Sequence, residues 1–352
     1  MQVAIGGAVL TAEDVGFVVE ADRLGAHSVW VPEAWGQDAL TPLAYLAART
    51  ERIRLGSGIA QIGARTPANL AMAALSLQTL SSGRFLLGLG TSGPQEMEGW
   101  HGVRFASPLA ATRETVEIVR RVAAGEKLEH HGRVFELPLP GGLGRAIRSM
   151  LPGQTPVPIY IAALGPKNLA LTGEIADGWI GSAFLAEYAA DAFLPFLAEG
   201  AARAGGGRSP ADLDLLIPVA VEFTDDVDEA AARHARGYAF TIGAMGTKAT
   251  NFYNAAFARQ GFGDDVAAVQ ALWLAGRREE AAERVPLEIG LKTNLLGTPA
   301  MVKARVRLYR AAGITTLQAK LAGSLQQKLD TLAQLIDLVS EVPGRRVNEE
   351  ES

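Results

Sequence analysis

Few ionisable side chains lie where the predicted strands end, and two of them are candidate general acids. Glu33 follows the second predicted strand, and His101 lies in the long loop after the fourth. A carboxyl group or an imidazole can donate a proton to a reacting group. Glu33 has a structural alternative, in which its carboxylate accepts hydrogen bonds from loop backbone or pairs with an arginine such as Arg65. Lys320, after the eighth strand, is the only strand-end lysine, and we expect it on the surface.

The sequence lacks the signatures of several other kinds of catalytic site. It has no cysteine, which excludes disulfides, thiolate metal sites and a thiol nucleophile. Its five histidines form neither a HExxH motif nor a cluster with carboxylates, so no metal site is predicted, and His130-His131 is expected in a solvated turn. No GxSxG nucleophile elbow is present. Glu33 and Glu222 are the only strand-end carboxylates that could form a glycosidase pair.

The predicted strand ends are rich instead in glycine, small side chains and aromatic residues. Such a surface lets a flat ring lie close against backbone, with few ionisable groups near it. The turn Leu164–Asn168 opens a helix, where free N–H groups, the helix dipole and Lys167 could hold a phosphate. An ordinary strand-to-helix turn is the alternative.

The segment Arg84–Gly102 combines a strand with a long loop, and we interpret the strand end as one wall of a site. The residues from Arg84 to Leu89 are apolar nearly throughout, as in a parallel strand buried on both faces. Gly88 and Gly90 mark a sharp turn or a close approach of another group. The letters GLGTSG match a dinucleotide-binding fingerprint only weakly, because the spacing is wrong, no helix is expected at the third glycine and no acidic residue follows at the right place.

Strands and helices alternate along the chain, which predicts a (β/α)8 TIM barrel, a fold of the α/β class. The strands are expected at 2–5, 28–31, 53–59, 84–89, 157–162, 178–181, 213–223 and 314–319. A small hairpin at 128–137 interrupts the repeat between units four and five. An open doubly wound sheet is the runner-up, which the count of eight strands disfavours. Barrels carry their chemistry at the carboxyl ends of the strands.

Length, charge and hydropathy limit the class of protein further. A single domain over 1–343 is expected to precede a charged, flexible tail at 344–352. The net charge of -5 gives no sign of a nucleic-acid partner. We find no signal peptide and no apolar segment of the roughly 18 residues that a membrane span needs. A cytoplasmic protein without a membrane partner is therefore expected.

Four stretches resemble the luciferase-like monooxygenase superfamily, and within it the coenzyme F420-dependent oxidoreductases. They are GSGIAQIGARTPANLA at Gly56–Ala71, SSGRFLLGLGTSGPQEMEGWHG at Ser81–Gly102, ADGWI at Ala176–Ile180 and GTPAMV at Gly297–Val302. The resemblance covers nearly the whole chain, includes the hairpin, and is closest in pattern to the methylenetetrahydromethanopterin reductases. It implies a luciferase-like TIM barrel that forms a homodimer.

The resemblance also implies where a deazaflavin coenzyme would bind. It implies a non-prolyl cis peptide bond, placed here at Gly58–Ile59, that backs the ring. It further implies ring contacts at the end of the fourth strand, ribityl or phosphate contacts after the fifth, and a lysine for the acidic tail. The implied coenzyme-binding residues are Gly58, Ile59, Ala60, Leu89, Thr91, Ser92, Ala163, Leu164, Gly165, Pro166, Lys167 and Lys248.

Two departures from the family pattern limit the expected activity. Ala34 and Ser92-Gly93 stand where the sugar-phosphate dehydrogenases of this family carry a catalytic histidine and glutamate, so sugar-phosphate oxidation is not expected. We predict hydride transfer between F420 and a small-molecule substrate with a C=C, C=N or C=O bond, with Glu33 or His101 as the proton donor. The alternatives are an FMN-dependent monooxygenase and a catalytically silent, coenzyme-binding barrel.

Overall fold

The computed structural model describes residues 1–151, 155–246 and 251–342, and the expected charged tail at 344–352 lies outside these ranges. The strands are β1 Gln2–Gly6, β2 Ser28–Val31, β3 Arg54–Ser57, β4 Ala60–Gln61, β5 Phe85–Gly90, β6 His130–His131, β7 Glu136–Leu137, β8 Ile159–Ala162, β9 Gly178–Ile180, β10 Asp214–Phe223, β11 Leu295–Gly297 and β12 Thr316–Lys320. The helices are α1 Ala12–Leu24, α2 Leu40–Ala47, α3 Pro67–Leu80, α4 Pro94–Gly99, α5 Pro108–Ala123, α6 Pro166–Ile175, α7 Ala189–Ala192, α8 Leu194–Ala204, α9 Val227–Ala244, α10 Phe252–Phe257, α11 Gly263–Leu274, α12 Arg278–Glu283, α13 Leu287–Lys292, α14 Pro299–Ala311 and α15 Leu325–Ser340.

Parallel pairing closes the sheet into a barrel. Its order is β1-β2-β3-β5-β8-β9-β10-β12, and β12 pairs with β1 to complete the ring. The short strand β4 continues the path of β3 and pairs with β5, while β11 extends the carboxyl end of β10. These eight barrel strands with helices between them confirm the predicted (β/α)8 fold.

Alternate residues of each strand face the inside of the barrel. The inner cluster consists of Ala4, Trp30, Leu86, Tyr160 and Leu216, and the Trp30 and Tyr160 ring centroids lie 5.0 Å apart. The other strand residues join a much larger apolar layer between the barrel and its helices. The inner cluster fills the barrel interior, the larger layer packs the helices onto the barrel, and together they fix the register of each strand.

Helix boundaries follow local sequence signals where these are strong. The side chain of Thr11 caps α1 in a capping box with Asp14, as the expected helix start required. Pro67 suits the first turn of a helix, and the sequence predicts that helix at 67–80; α3 has these bounds, and the Thr66 side chain caps it.

The structure corrects several expectations about local elements. The helix α4 begins directly after Gly93, inside what we expected to be loop, and β11 and α13 had no counterpart in our prediction. The expected strand 53–59 is two short strands, β3 and β4, separated by Gly58 and Ile59. The helix expected at 186–204 is divided into α7 and α8. These pieces are short, and their structure depends on tertiary pairing rather than on a local pattern.

The predicted hairpin is present as the antiparallel pair β6–β7. Glu114 of α5 accepts backbone hydrogen bonds from Arg133, Val134 and Phe135 of this hairpin, at 2.8–3.2 Å. His130 is buried with its Nε2 3.4 Å from a Glu114 carboxylate oxygen, so the solvated turn expected for His130 is wrong. Among the described residues, no helix is both long enough and apolar enough to cross a membrane.

Candidate active site

Glycine lines the carboxyl end of the barrel interior. Gly6 is in register with Trp30 and Gly88 with Tyr160, and both aromatic partners belong to the inner cluster. A Cβ on Gly88 would lie 1.9 Å from the carbonyl oxygen of Ser57, so no larger residue fits there. The carboxyl end thus has a floor formed largely by backbone.

The peptide bond Gly58–Ile59 is cis, which confirms the prediction made for it. The Gly58 N–H donates to the carbonyl oxygen of Val31 at 2.8 Å. The Ile59 side chain covers Gly90, where a Cβ would lie 2.7 Å from the Ile59 Cδ1. Ala60 is buried beside Leu89 in the β4–β5 pair. The break between β3 and β4 therefore places Ile59 over the end of β5.

Glu33 is fully engaged with neighbouring donors. Its two carboxylate oxygens accept from Nη1 and Nη2 of Arg65 at 2.7 and 2.8 Å. They also accept from the backbone N–H groups of Ala39 and Gln61, both at 3.0 Å. The hydrogen bonds to Glu33 raise the pKa of Arg65 above its usual value. Hydrogen bonds from loop backbone and a pair with Arg65 are the contacts expected if Glu33 has a structural role. They fix the ionised carboxylate in place.

Gln61 connects the two candidate acids, although sequence reasoning gave it no role. Its backbone N–H bonds Glu33, its side-chain Oε1 lies 2.7 Å from Nε2 of His101, and its Nε2 donates to Ser92 Oγ at 3.3 Å. With the amide in this orientation, His101 Nε2 carries a proton and donates a hydrogen bond to Oε1 of Gln61. His101 is half-buried, and within the described ranges its other ring nitrogen has no hydrogen-bond partner.

The end of β5 presents hydroxyl groups rather than the Leu89 side chain. Leu89 points into the apolar layer between barrel and helices, and only its backbone borders the interior. Thr91 and Ser92 follow the strand and are half-buried. Ser92 has a φ of 56°, in the left-handed region. A ring above β5 would therefore meet backbone and the two hydroxyl groups.

The β8–α6 turn lies beside β5, because these two strands pair. The Ala163 carbonyl accepts from Trp179 Nε1 at 2.9 Å, and the Leu164 carbonyl accepts from Arg259 at 2.6 Å. Gly165 caps α6 without a side-chain hydrogen bond, followed by Pro166. Arg259 is a cation next to this turn that the sequence did not reveal, and burial lowers its pKa.

The structure gives less support to the two lysines that were predicted to bind the coenzyme, Lys167 and Lys248. Lys167 is exposed and lines an outer groove of about 620 Å³ between α5, α6 and α8, together with Arg113 and Glu174. Lys248 lies outside the described residues. Of the strand-end carboxylates, Glu222 is ion-paired with Arg233 at 2.5 Å and lies 3.3 Å from the Nε2 of His234, so both members of the glycosidase pair have other partners.

Two further ionisable groups near the mouth were missed by sequence reasoning. Glu96 of α4 is buried, and its charge adds to desolvation in raising the pKa of Tyr253 on α10. No run of residues marks them, because α4 and α10 come together only in the folded chain. Within the described ranges, no cluster of three or more potential metal ligands occurs. The arrangement can hold a flat organic group over backbone and offer it an imidazole and hydroxyl groups.

Comparison with known proteins places this geometry in context. The family model for luciferase-like monooxygenases matches residues 6–316. A Mycobacterium tuberculosis protein provisionally named as a coenzyme F420-dependent oxidoreductase is 40% identical over 339 residues, which cover 95% of this chain and 97% of that protein.

Solved structures share the fold at lower identity. The F420-dependent tetrahydromethanopterin reductase from Methanopyrus kandleri has a TM-score of 0.76 and 20% identity, covering 96% of this chain and 99% of the other. An F420-dependent secondary alcohol dehydrogenase, solved with an F420-acetone adduct, has a TM-score of 0.75 and 18% identity, covering 96% of this chain and 98% of the other. At these identities the likeness concerns the fold alone.

Proposed function

This chain belongs to the luciferase-like monooxygenase family, and on that premise we propose that it transfers a hydride between coenzyme F420 and a small organic substrate. The observation that carries the proposal is the 40% identity, over 95% of the chain, with a protein named as F420-dependent. When bound, the deazaflavin supplies or accepts the hydride at C5. The chain's own residues must bind and orient the two reactants, exclude water and move a proton.

The carboxyl end of the barrel suits a flat ring. Its floor is backbone at Gly58 and Gly88, Ile59 supplies an apolar contact, and Thr91 and Ser92 offer hydroxyl groups to polar ring edges. The proposed ring contacts come from residues at the ends of β3, β4 and β5, and Leu89 contributes its backbone alone. These residues are Gly58, Ile59, Ala60, Leu89, Thr91 and Ser92.

The β8–α6 turn suits the anionic side chain of the coenzyme. The proposal assigns Ala163, Leu164, Gly165, Pro166 and Lys167 to the ribityl and phosphate groups, and Lys248 to the acidic tail. The helix start offers N–H groups without a side-chain cap, which favours an anion. Arg259 strengthens this assignment, because its guanidinium already bonds the Leu164 carbonyl.

We take His101 as the proton donor. Gln61 Oε1 holds the imidazole through Nε2, which leaves Nδ1 of the imidazolium to deliver the proton to the substrate. Glu33 would have to break its contacts with Arg65 to do the same. We therefore assign Glu33 the role of a positioning residue that fixes Gln61 through its backbone N–H.

Anaerobic titration with reduced F420 and reduced FMN, side by side, tests the proposal. We expect saturable F420 binding, weaker FMN binding, and oxidation of reduced F420 by at least one compound from a panel of enones, imines and ketones. Preference for FMN together with oxygen-dependent turnover would instead support the monooxygenase alternative. Tight F420 binding without turnover of any compound would support a silent binding barrel.

A further inference from the structure

Lys320 lies at the carboxyl end of β12, on the face that lines the barrel interior. In the β12 register, Gln318 aligns with Ala4 and Thr316 with Leu216, and both partners belong to the inner cluster. Side chains two residues apart on a strand point to the same side of the sheet. The Lys320 side chain therefore leaves β12 on the inner face, like that of Gln318. The Gln318 amide confirms this direction, because a Cβ on Gly6 would lie 1.8 Å from its Nε2. Lys320 is exposed, as expected from the sequence, and it lies at the mouth of the barrel on the inner face of β12.

The surroundings of Lys320 combine access with desolvation. Its side chain is reached by solvent, yet the enclosing protein lowers the pKa of its ammonium group by desolvation. In the described part of the chain, no hydrogen bond or ion pair of its ammonium is found.

The nearest strand-end carboxylate does not neutralise this cation. Ala220 of β10 is in register with Lys320, and Glu222 is the next residue of β10 on the same face. The Glu222 carboxylate is bound by Arg233 and His234. An ammonium group held at the mouth without a carboxylate partner can stabilise negative charge on a ligand.

We propose that Lys320 receives the substrate's carbonyl oxygen and stabilises the negative charge that develops there during hydride transfer. The inference rests on the proposed function, and the substrate is then a ketone or an α,β-unsaturated carbonyl compound rather than an imine. For an enone, the hydride from reduced F420 forms a C–H bond at the β-carbon, and the C=C π electrons shift to give an enolate oxygen beside Lys320. A proton from His101 then adds at the α-carbon, so the substrate gains two electrons and two hydrogens while F420 is oxidised.

The positive charge of Lys320 disfavours imine substrates. A protonated imine is a cation, and an ammonium group near its carbon repels it. No anion develops on such a substrate, since the hydride neutralises its charge. Lys320 therefore selects between substrates that differ in the charge formed on the acceptor atom.

Kinetics with Lys320→Met and Lys320→Arg test this selection. The probes are 2-cyclohexen-1-one and the 1-methyl-3,4-dihydroisoquinolinium ion, each with reduced F420. We expect Lys320→Met to lower kcat/KM for the enone about 10²–10³-fold, the usual effect of losing one oxyanion donor. F420 affinity should change little, iminium turnover should be unchanged or faster, and Lys320→Arg should retain part of the enone activity. The control is Lys127→Met, at an exposed position after α5.

Equal losses on both probes, or no loss on the enone, would overturn the assignment. A large loss of F420 affinity would overturn it as well, because Lys320 would then bind the coenzyme's anionic side chain.

A second measurement does not depend on turnover, so failure of the proposed function remains distinguishable. 4-Nitrophenol is titrated spectroscopically with the protein alone and with oxidised F420. The ammonium should bind the phenolate and lower the phenol's apparent pKa, an effect lost in Lys320→Met and kept in Lys127→Met. If wild-type protein leaves the phenol's pKa unchanged, Lys320 does not stabilise oxyanions, whatever coenzyme the protein uses.

Discussion

Glu33 and His101 differ in how many of their hydrogen-bonding positions are already occupied. The Glu33 carboxylate accepts four hydrogen bonds, two of them from Arg65 in a side-by-side geometry. His101 has one ring nitrogen bonded to Gln61. A group that must exchange a proton with a ligand needs a free position and room to move. At the scale of single residues, these contacts favour the proposed roles, positioning for Glu33 and proton transfer for His101.

Replacing Glu33 by Gln should lower stability and coenzyme affinity together. The substitution keeps the shape but removes the charge opposite the largely buried Arg65, and breaking such a pair costs about 3 kcal/mol. Urea unfolding and F420 titration measure the two effects. Glu20→Gln is the control, since Glu20 forms an exposed pair with Arg23 and should leave both values unchanged. Normal stability with turnover reduced more than 100-fold would instead identify Glu33 as the acid.

Replacing His101 by Asn should lower turnover about 10²–10⁴-fold, the usual contribution of a positioned general acid. Coenzyme affinity and melting temperature should be nearly unchanged, because His101 makes one side-chain hydrogen bond and is only half-buried. His131→Asn, at an exposed position of the hairpin, is the matched control. A parental rate for His101→Asn would mean that water or another residue donates the proton.

Single residues were predictable where their type limits their chemistry. Glu33, Arg65 and His101 are ionisable and follow predicted strands, so the sequence identifies them. Gln61 carries no charge, and its importance comes from bonding His101 and Ser92 at once. An amide that connects two loops has no signature in the sequence, because both partners are remote along the chain.

At the scale of elements, the inserted hairpin is fixed to the barrel by one carboxylate. Burial raises the pKa of Glu114, but backbone hydrogen bonds from Phe135, Val134 and Arg133, with the adjacent His130 ring, outweigh this and lower the pKa below its ordinary value. A carboxyl whose pKa is lowered on folding contributes stability at pH above its unfolded value of 4.5, and that contribution is lost as the pH falls through the folded value.

Glu114→Gln should destabilise the protein by about 2–3 kcal/mol at neutral pH, since hydrogen bonds to a charged group are lost and an amide N–H₂ faces backbone donors. The difference from wild type should shrink as the pH falls below about 4.5, where wild type loses the same charge. Denaturant unfolding across this pH range measures both effects. Glu117→Gln, on the exposed face of α5, is the control. If the difference in stability stayed constant with pH, the charge of Glu114 would not contribute to holding the hairpin.

The strand end at Gly88 should not accept a side chain. A Cβ in Gly88→Ala would lie 1.9 Å from the Ser57 carbonyl oxygen, a backbone atom that can move only by distorting β3. Overpacking of this kind costs about 1–3 kcal/mol or more, and it should displace the adjoining turn and weaken coenzyme binding. The control is Gly16→Ala in α1, where a Cβ meets nothing within 4 Å and stability should rise by about 0.5–1 kcal/mol. A fully stable, coenzyme-binding Gly88→Ala protein would show that the floor is not rigid.

Elements with strong local signals were predictable, and those made by pairing were not. Helix α3 has a threonine cap and a proline in its first turn, and its predicted bounds are those observed. The three-residue strand β11 exists because it pairs with the end of β10. Helix α4 has six residues, and its N-cap is Gly93, which offers no side-chain hydrogen bond. Short elements gain little from propensity and depend on the surrounding structure.

At the scale of the whole molecule, the alternation of strands and helices predicts the barrel, but closure decides which side chains meet. Pairing of β12 with both β1 and β10 brings the last strand beside the first. This closure places Lys320 at the mouth, although it is 287 positions after Glu33 by residue number. A sequence pattern predicts that a strand is buried, but not its register, and the register determines the side on which Lys320 lies.

Coenzyme binding should raise the melting temperature of the whole protein by mass action. A ligand at 100 times its dissociation constant stabilises the folded state by about 2.7 kcal/mol. With an unfolding entropy of about 2.1 cal/mol/K per residue, a chain of 352 residues should gain about 3–4 °C. Scanning calorimetry with F420 and with FMN at equal concentrations measures both shifts, and we expect the F420 shift to be larger. Arg259→Met should reduce it if the coenzyme phosphate binds at the β8–α6 turn, whereas Arg307→Met, at an exposed position of α14, should not. A larger shift with FMN would contradict the F420 assignment while leaving the barrel mouth as the binding site, because both coenzymes carry a flat ring and an anionic side chain.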